Sequence, residues 1–282
     1  MKLTLLVDNH HHPEQDLLSE HGISIYFEQD HYKWLLDTGN SPIFIENART
    51  LGIDLTDVDY VLISHAHKDH TGGLAAFLEI NTKAMVFLSA NIPDQRYFSL
   101  RHGDQRDISW DYSVVEKHKH RFKWMYESTY LSETVAVIVN FQTVFPAPKA
   151  NSTLFVEKDQ QLLPDQFKHE MAVALCSEEG LIVFSGCAHN GLLNTIRTSV
   201  EFTGIPKIRA CIGGAHLPDK NNETSYECDE EILTIGRLIK EQYPEMKLIT
   251  GHCTGRHAQR LLKSVLGENM DVFYSGYTSE IL

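Results

Sequence analysis

The sequence predicts a mixed α/β (or α+β) fold built as one catalytic domain. Strand-length apolar runs such as Tyr60-Val61-Leu62-Ile63-Ser64 alternate with stretches of helical spacing. Elements mixed in this way settle into layers, with helices covering sheets. At 282 residues the chain is ample for a sizeable core.

Leu3 to Val7, Ile23 to Phe27 and Tyr32 to Leu36 read as the first strands. Ile43, Phe44, Asn47, Ala48 and Leu51 recur at helical spacing, and Gly52 suits the left-handed position that ends a helix. Tyr60 to Ser64 reads as a buried strand, and Leu74 to Ile80 as a short helix behind the loop that follows it. Ala84 to Leu88, Val135 to Val139, Met171 to Cys176 and Leu181 to Phe184 add strands. Leu192, Leu193, Ile196 and Val200 mark a helix that Gly204-Ile205-Pro206 ends. Ile208 to Ile212 and Lys247 to Thr250 are late strands, and Ala258, Leu261, Leu262, Val265 and Leu266 form an amphipathic helix closed by Gly267.

Residues 91–148 break the alternation. Tyr97, Phe98, Arg101, Trp110, Tyr112, Phe122, Trp124, Met125 and Tyr126 lie there among many charges. The stretch reads as an insertion covering the active site or forming a dimer surface; its aromatics equally suit a small satellite core. There is no internal repeat and no low-complexity tract.

A formal net charge of −13 disfavours non-specific binding to nucleic acid, whose phosphates need a basic surface. The N-terminus lacks the pattern of a signal peptide, and no apolar run is long enough to span a bilayer. The expectation is a cytoplasmic enzyme acting on a small molecule, phosphorylated or pterin-like, with no nucleic-acid or membrane partner; a homo-oligomer is compatible. Five scattered Cys residues fit reduced thiols better than a disulfide framework. The sequence has no Gly-x-Ser-x-Gly elbow, P-loop or dinucleotide fingerprint.

Chemistry is concentrated in His65-Ala66-His67-Lys68-Asp69-His70, directly after the strand ending at Ser64. Neutral imidazole is the commonest metal ligand, and a carboxylate adds a harder oxygen donor. On an extended loop His65 and His67 point the same way, while Asp69 and His70 aim at a second position. Alone, the segment could be a polar loop. Asp37, His189, His216 and His252, however, each follow a strand, with Gly nearby to let the backbone turn. Ligands on neighbouring strand ends converge although they are distant in sequence.

Continued by Thr71-Gly72-Gly73-Leu74, the segment resembles the HxHxDH signature of the metallo-β-lactamase superfamily. Leu36-Asp37-Thr38-Gly39, Ser185 to Gly191, Gly213-Gly214-Ala215-His216-Leu217 and Gly251-His252-Cys253-Thr254-Gly255 are similar to the subgroup named after dihydropterin ribofuranosyl-aminobenzene phosphate synthase. The resemblance implies a four-layer αβ/βα sandwich. It implies one metal held by His65, His67 and His189 and a second by Asp69, His70 and His252. The metal expected is zinc, one or two ions, with manganese or iron as alternatives. Asp37 would orient a ligand His. His216 would be either a ligand or a residue that donates a proton to the leaving group or binds substrate, the latter role ranking slightly ahead.

Cys187 departs from the pattern, because many superfamily members carry a bridging Asp there. It is either a thiolate ligand or a small packing residue, and without the bridge a mononuclear site is credible. Glu170 and its neighbour His169 are further candidates, since they fall where the superfamily usually supplies its third metal-binding His.

A metal ion would turn water into a nucleophile near neutral pH, with Asp69 steering it and accepting its proton. The expected function is therefore a metal-dependent hydrolase of a small ester, thioester, lactone or phosphodiester. The alternatives are a pterin-pathway synthase-type transferase, joining a pterin to a ribosyl-aminobenzene phosphate, and a non-catalytic metal-dependent binding or sensor module. Di-iron members need a flavin-bearing partner, and nothing here suggests a flavodoxin module. Nucleic-acid-processing members are longer and more basic. His10-His11-His12 reads as a solvated loop or part of the site's rim. His118 and His120, among Lys117, Lys119, Arg121 and Lys123, read as a solvated helix face or a phosphate contact.

Overall fold

The computed structural model describes residues 1–92, 94–101, 103–221 and 224–281. The chain forms two compact units: Met1–Tyr126, Ser152–Met171 and Tyr274–Leu282 in the first, Glu127–Asn151 and Ala172–Phe273 in the second.

The first unit holds a seven-stranded sheet in the order Thr278–Glu280, Lys2–Val7, Ser24–Gln29, Tyr32–Leu36, Tyr60–Ile63, Met85–Ser89, Phe122–Met125. Neighbours are antiparallel up to Tyr32–Leu36 and parallel beyond it. Val61, Leu62 and Ile63 are all buried, as expected of a parallel strand covered on both faces. The helices Ile43–Thr50 and Leu74–Ile80 contribute Phe44, Ala48, Leu74 and Phe77 to the same core. Asn47 also turns inward, its amide donating to Leu6 O at 2.7 Å and Leu18 O at 2.8 Å.

The second unit holds another seven-stranded sheet: Met270–Val272, Lys247–Thr250, Ile208–Ile212, Gly180–Phe184, Ala172–Ser177, Val135–Ile138, Thr129–Tyr130. Its first four strands run parallel and the remaining pairings are antiparallel. Leu192–Thr203, Asp229–Gln242 and Arg256–Leu266 are its helices, packing Ile196, Ile232, Ile239, Ala258 and Leu262 into the unit's core. The parallel strand ends deliver the polar loops to come.

The mixed α/β class and nearly every anticipated element are present. Residues 91–148 supply elements to both units; positions 93 and 102 lie outside the described residues. Tyr97–Arg101 and Asp104–Asp107 join Leu154–Lys158 and Gln161–Pro164 in a four-stranded antiparallel sheet of the first unit. Phe122–Met125 edges the first large sheet, while Thr129–Tyr130 edges the second with Val135–Ile138 just inside it. Tyr97, Trp110 and Phe122 are buried in the first unit's core, so these aromatics behave as core residues, whereas Tyr126 is exposed.

The basic run after Glu116 is not a uniformly solvated helix face. Arg121 is buried, with its guanidinium donating to the carbonyls of Ala84 and Asn81 and to Asn81 Oδ1. His120 remains exposed. The helix Asp229–Gln242 was not anticipated, because its apolar residues are thinly spread among charges; Glu231 secures its start by accepting from the Cys228 N–H at 2.8 Å. No helix among the described residues is long and apolar enough to cross a membrane.

Candidate metal centre

In the first unit the strand Tyr60–Ile63 runs directly into Ser64 and the His-rich loop. Asp37 caps the neighbouring strand with a left-handed backbone (φ 58°) and no solvent exposure. One of its oxygens accepts from Ser64 N at 2.7 Å; the other accepts from Ser64 Oγ at 2.6 Å and lies 2.6 Å from His70 Nδ1. The His70 proton is thereby placed on Nδ1, leaving the Nε2 lone pair as the donor toward a cation. His70 Nε2 lies 3.6 Å from Asp69 Oδ2, and His65 Nε2 lies 3.0 Å from His67 Nδ1.

Burial, reinforced by the neighbouring imidazoles of His70 and His67, holds His65 well below the ordinary histidine range. Burial, aided by the neighbouring imidazoles of His169 and His70, outweighs the Asp69 carboxylate at His67 and pushes it down to about 3. Both rings are thus neutral at physiological pH, the state in which imidazole binds metal. The loop is held by the part of the 91–148 segment that belongs to the same unit: Lys68 N donates to Ile108 O at 2.8 Å, His67 pairs with Ser109 in an isolated bridge, and the Tyr97 ring centroid lies 5.8 Å from that of His67.

His169 has another task. Its Nδ1 accepts from Ala66 N at 3.3 Å, so its proton is on Nε2, which lies 2.9 Å from Asp165 Oδ2. With both nitrogens engaged, His169 braces the backbone between His65 and His67 and is not a spare metal donor. Glu170 is buried beside it, its N–H donating to Phe167 O at 3.1 Å.

In the second unit His189, His216 and His252 follow Gly180–Phe184, Ile208–Ile212 and Lys247–Thr250, and all three are buried. His216 (φ 46°), His252 (φ 50°) and Ala188 (φ 57°) share with Asp37 the left-handed conformation that non-glycine residues rarely adopt. Such strain clusters where side chains must be aimed. The His189 and His216 ring centroids are 4.1 Å apart. The donor atoms of Cys187, His189 and His216 lie within 4.8 Å of one another, as do those of Cys187, His252 and Cys253. Cys187 is buried and its thiol lies within both of these donor groups.

Two residues here escaped the sequence reading. Cys253 Sγ accepts from His216 N at 3.3 Å and donates to Cys187 O at 3.6 Å. Burial opposes ionisation of this thiol, but hydrogen bonding to Cys187 and His216 prevails and pulls it down to about 5. Asn151 holds His189, its Oδ1 lying 3.1 Å from Nδ1 and its amide donating to His189 O at 2.8 Å. No local pattern marks Asn151. Because outer hydrogen-bond partners typically contribute about 10–100-fold to metal affinity, Asn151→Ala is expected to weaken zinc retention by that order in competition with a chromophoric chelator. Unchanged retention would remove Asn151 from the site.

The donor types fit a divalent transition metal: neutral imidazoles, a carboxylate and thiols. The structure brings His65, His67, Asp69 and His70 together with Asp37 in the first unit, and Cys187, His189, His216 and His252 together in the second.

A family profile of the metallo-beta-lactamase superfamily matches residues 21–84. The chain is 27% identical to a 7,8-dihydropterin-6-methyl-4-(β-D-ribofuranosyl)-aminobenzene-5'-phosphate synthase of Methanocaldococcus jannaschii, covering 98% of this chain and 95% of that protein. A crystal structure described as a metal-dependent hydrolase of the β-lactamase superfamily is similar with a TM-score of 0.80 and 26% identity, covering 100% of this chain and 99% of that one. An anaerobic nitric oxide reductase flavorubredoxin of Salmonella arizonae is 29% identical over 113 residues, 39% of this chain but 22% of that protein. The fold and the superfamily resemblance are those the sequence implied.

Proposed function

We propose that this chain, which carries a metallo-β-lactamase superfamily domain, is a metal-dependent hydrolase of a small ester, thioester, lactone or phosphodiester. One observation carries the reading: three buried imidazoles, His65, His67 and His70, are packed together and locked by Asp37 through Ser64 and His70. Burying that many polar rings is costly unless they are used. The ligands proposed are those the resemblance implies: His65, His67 and His189 for one zinc ion, Asp69, His70 and His252 for another. The thiol of Cys187 is proposed as a donor in place of the usual bridging carboxylate.

A bound zinc ion would supply Lewis acidity, lowering the pKa of water and polarising the substrate's oxygen. Asp69 Oδ orients the attacking water and accepts its proton. His216 gives a proton to the leaving group through a ring nitrogen. The small sheet around Tyr97, which rests on His67, acts as a wall that excludes bulk water.

A second reading is favoured by the full-length similarity to the pterin-pathway synthase. In that case the same residues would assist a condensation at a ribosyl-aminobenzene phosphate. The test is metal content of protein purified without added metal, beside His67→Ala, followed by a panel of phosphodiesters, lactones and thioesters. We expect near-stoichiometric zinc in the wild type, its loss in the variant and metal-dependent turnover of one substrate class. Absence of metal from both proteins overturns the proposal. Condensation without hydrolysis transfers it to the synthase reading, and metal retention without any turnover to a sensor.

A further inference from the structure

A cavity of about 280 Å³ lies wholly within the second unit, apart from the donor residues described above. Its walls are apolar, formed among others by Leu192, Leu193, Ala215, Leu217, Ile235 and Leu238. One lining side chain does not suit such walls. Glu227 is only 6% exposed. Its Oε1 accepts from Lys149 N at 2.6 Å, but its Oε2 is buried and meets no donor among the described residues. A buried carboxylate oxygen without a donor is costly and is normally satisfied by a partner.

The charged side chains around the cavity favour a donor or a cation as that partner. They are Glu227, Glu230, Glu231 and Lys149, three carboxylates against one ammonium. Lys149 Nζ is engaged by Glu231 Oε1 at 2.5 Å, outside the buried part. Burial raises Glu227 above the ordinary carboxyl range, a cost that a bound cation would reverse. The volume is near the lower end for small-molecule sites, suiting one or two rings. A few polar anchors in an apolar pocket are what orient such a ligand.

We propose that this cavity binds a small ring-containing ligand whose N–H donors, as in an amidine or an aminated heterocycle, dock on Glu227 Oε2 while its apolar body lies against Leu193, Leu217 and Leu238. The site is independent of the hydrolase reading. Ala215 and Leu217 flank His216, and Gly191 and Leu192 closely follow His189, so an occupant rests on the two segments that carry these histidines.

Benzamidine, an apolar ring bearing an amidinium, is the probe, with toluene as the ring lacking donors. Binding is measured by calorimetry and by NMR of the full chain, for wild type, Glu227→Gln and Leu238→Trp. Circular dichroism establishes that each variant is folded. We expect saturable benzamidine binding to the wild type, at least tenfold weaker binding to Glu227→Gln and loss of binding in Leu238→Trp, with toluene indifferent to Glu227→Gln. Absence of saturable binding to the wild type overturns the proposal, as does equal affinity in folded Glu227→Gln. Should Leu238→Trp fail to fold, the Glu227→Gln comparison alone decides. Metal content is measured alongside, so failure here leaves the catalytic reading untouched, and failure of that reading leaves this one.

Discussion

Asp37→Ala is expected to lower the stability of the protein by about 3–5 kcal/mol, the range for removing one partner from a buried charged network. Asp37 is fully buried and accepts from Ser64 N, Ser64 Oγ and His70 Nδ1 at 2.6–2.7 Å. Alanine leaves three buried donors without their acceptor, and each unmade bond costs about 1–3 kcal/mol. Against a total stability of about 5–15 kcal/mol that is a large fraction, so the denaturant midpoint should fall sharply. Asp37→Asn separates structure from metal binding. It keeps one acceptor oxygen and nearly the same shape, so its midpoint should fall less. Its amide places a donor against Ser64 Oγ or His70, so zinc retention should drop by about 10–100-fold. A wild-type midpoint in Asp37→Ala would refute the network.

Gly213→Ala is expected to cost about 4 kcal/mol or more, in the exceptional tail of single substitutions. Gly213 has φ +133°, and a Cβ added there would sit 1.9 Å from Ser185 O. The contact cannot relax cheaply, because it lies between two hydrogen-bonded strand ends: Ser185 N donates to Ile212 O at 2.9 Å and Gly213 N to Ile249 O at 3.0 Å. Separating them would break the pairing from which the loops bearing His189 and His216 emerge. Gly204→Ala is the control. It has φ +71° with nothing within 4 Å of its added Cβ, so only the left-handed penalty of about 1–2 kcal/mol applies. Thermal denaturation and zinc stoichiometry of the pair distinguish the effects: Gly213→Ala should lose both stability and metal, Gly204→Ala a little stability alone. Equal melting temperatures would show that close strand approach at Gly213 is unimportant.

The elements legible in the sequence were those with strong local period. Tyr32–Leu36 and Leu74–Ile80 appear with the bounds expected from their apolar spacing. Elements without that signal were missed. Asp104–Asp107 is a strand of four exposed polar residues, held in place by pairing with Tyr97–Arg101 and by Arg96 on Asp107 rather than by any apolar pattern of its own. Phe122–Met125 lies in a charged run and becomes a strand because Met85–Ser89 offers it an edge.

The candidate site divides in the same way. His65, His67, Asp69 and His70 declare themselves by sequence alone, since donors crowded into one short loop need no distant information. So does Asp37, through its place after a strand. That His169 is a brace, that Asn151 holds His189 across 38 residues and that Glu227 is pinned by Lys149 across 78 were decided by the tertiary structure. The reason is physical. Periodicity and ligand crowding are properties of neighbouring residues, whereas a side chain's protonation and its last hydrogen-bond partner depend on groups that only the folded chain brings within reach.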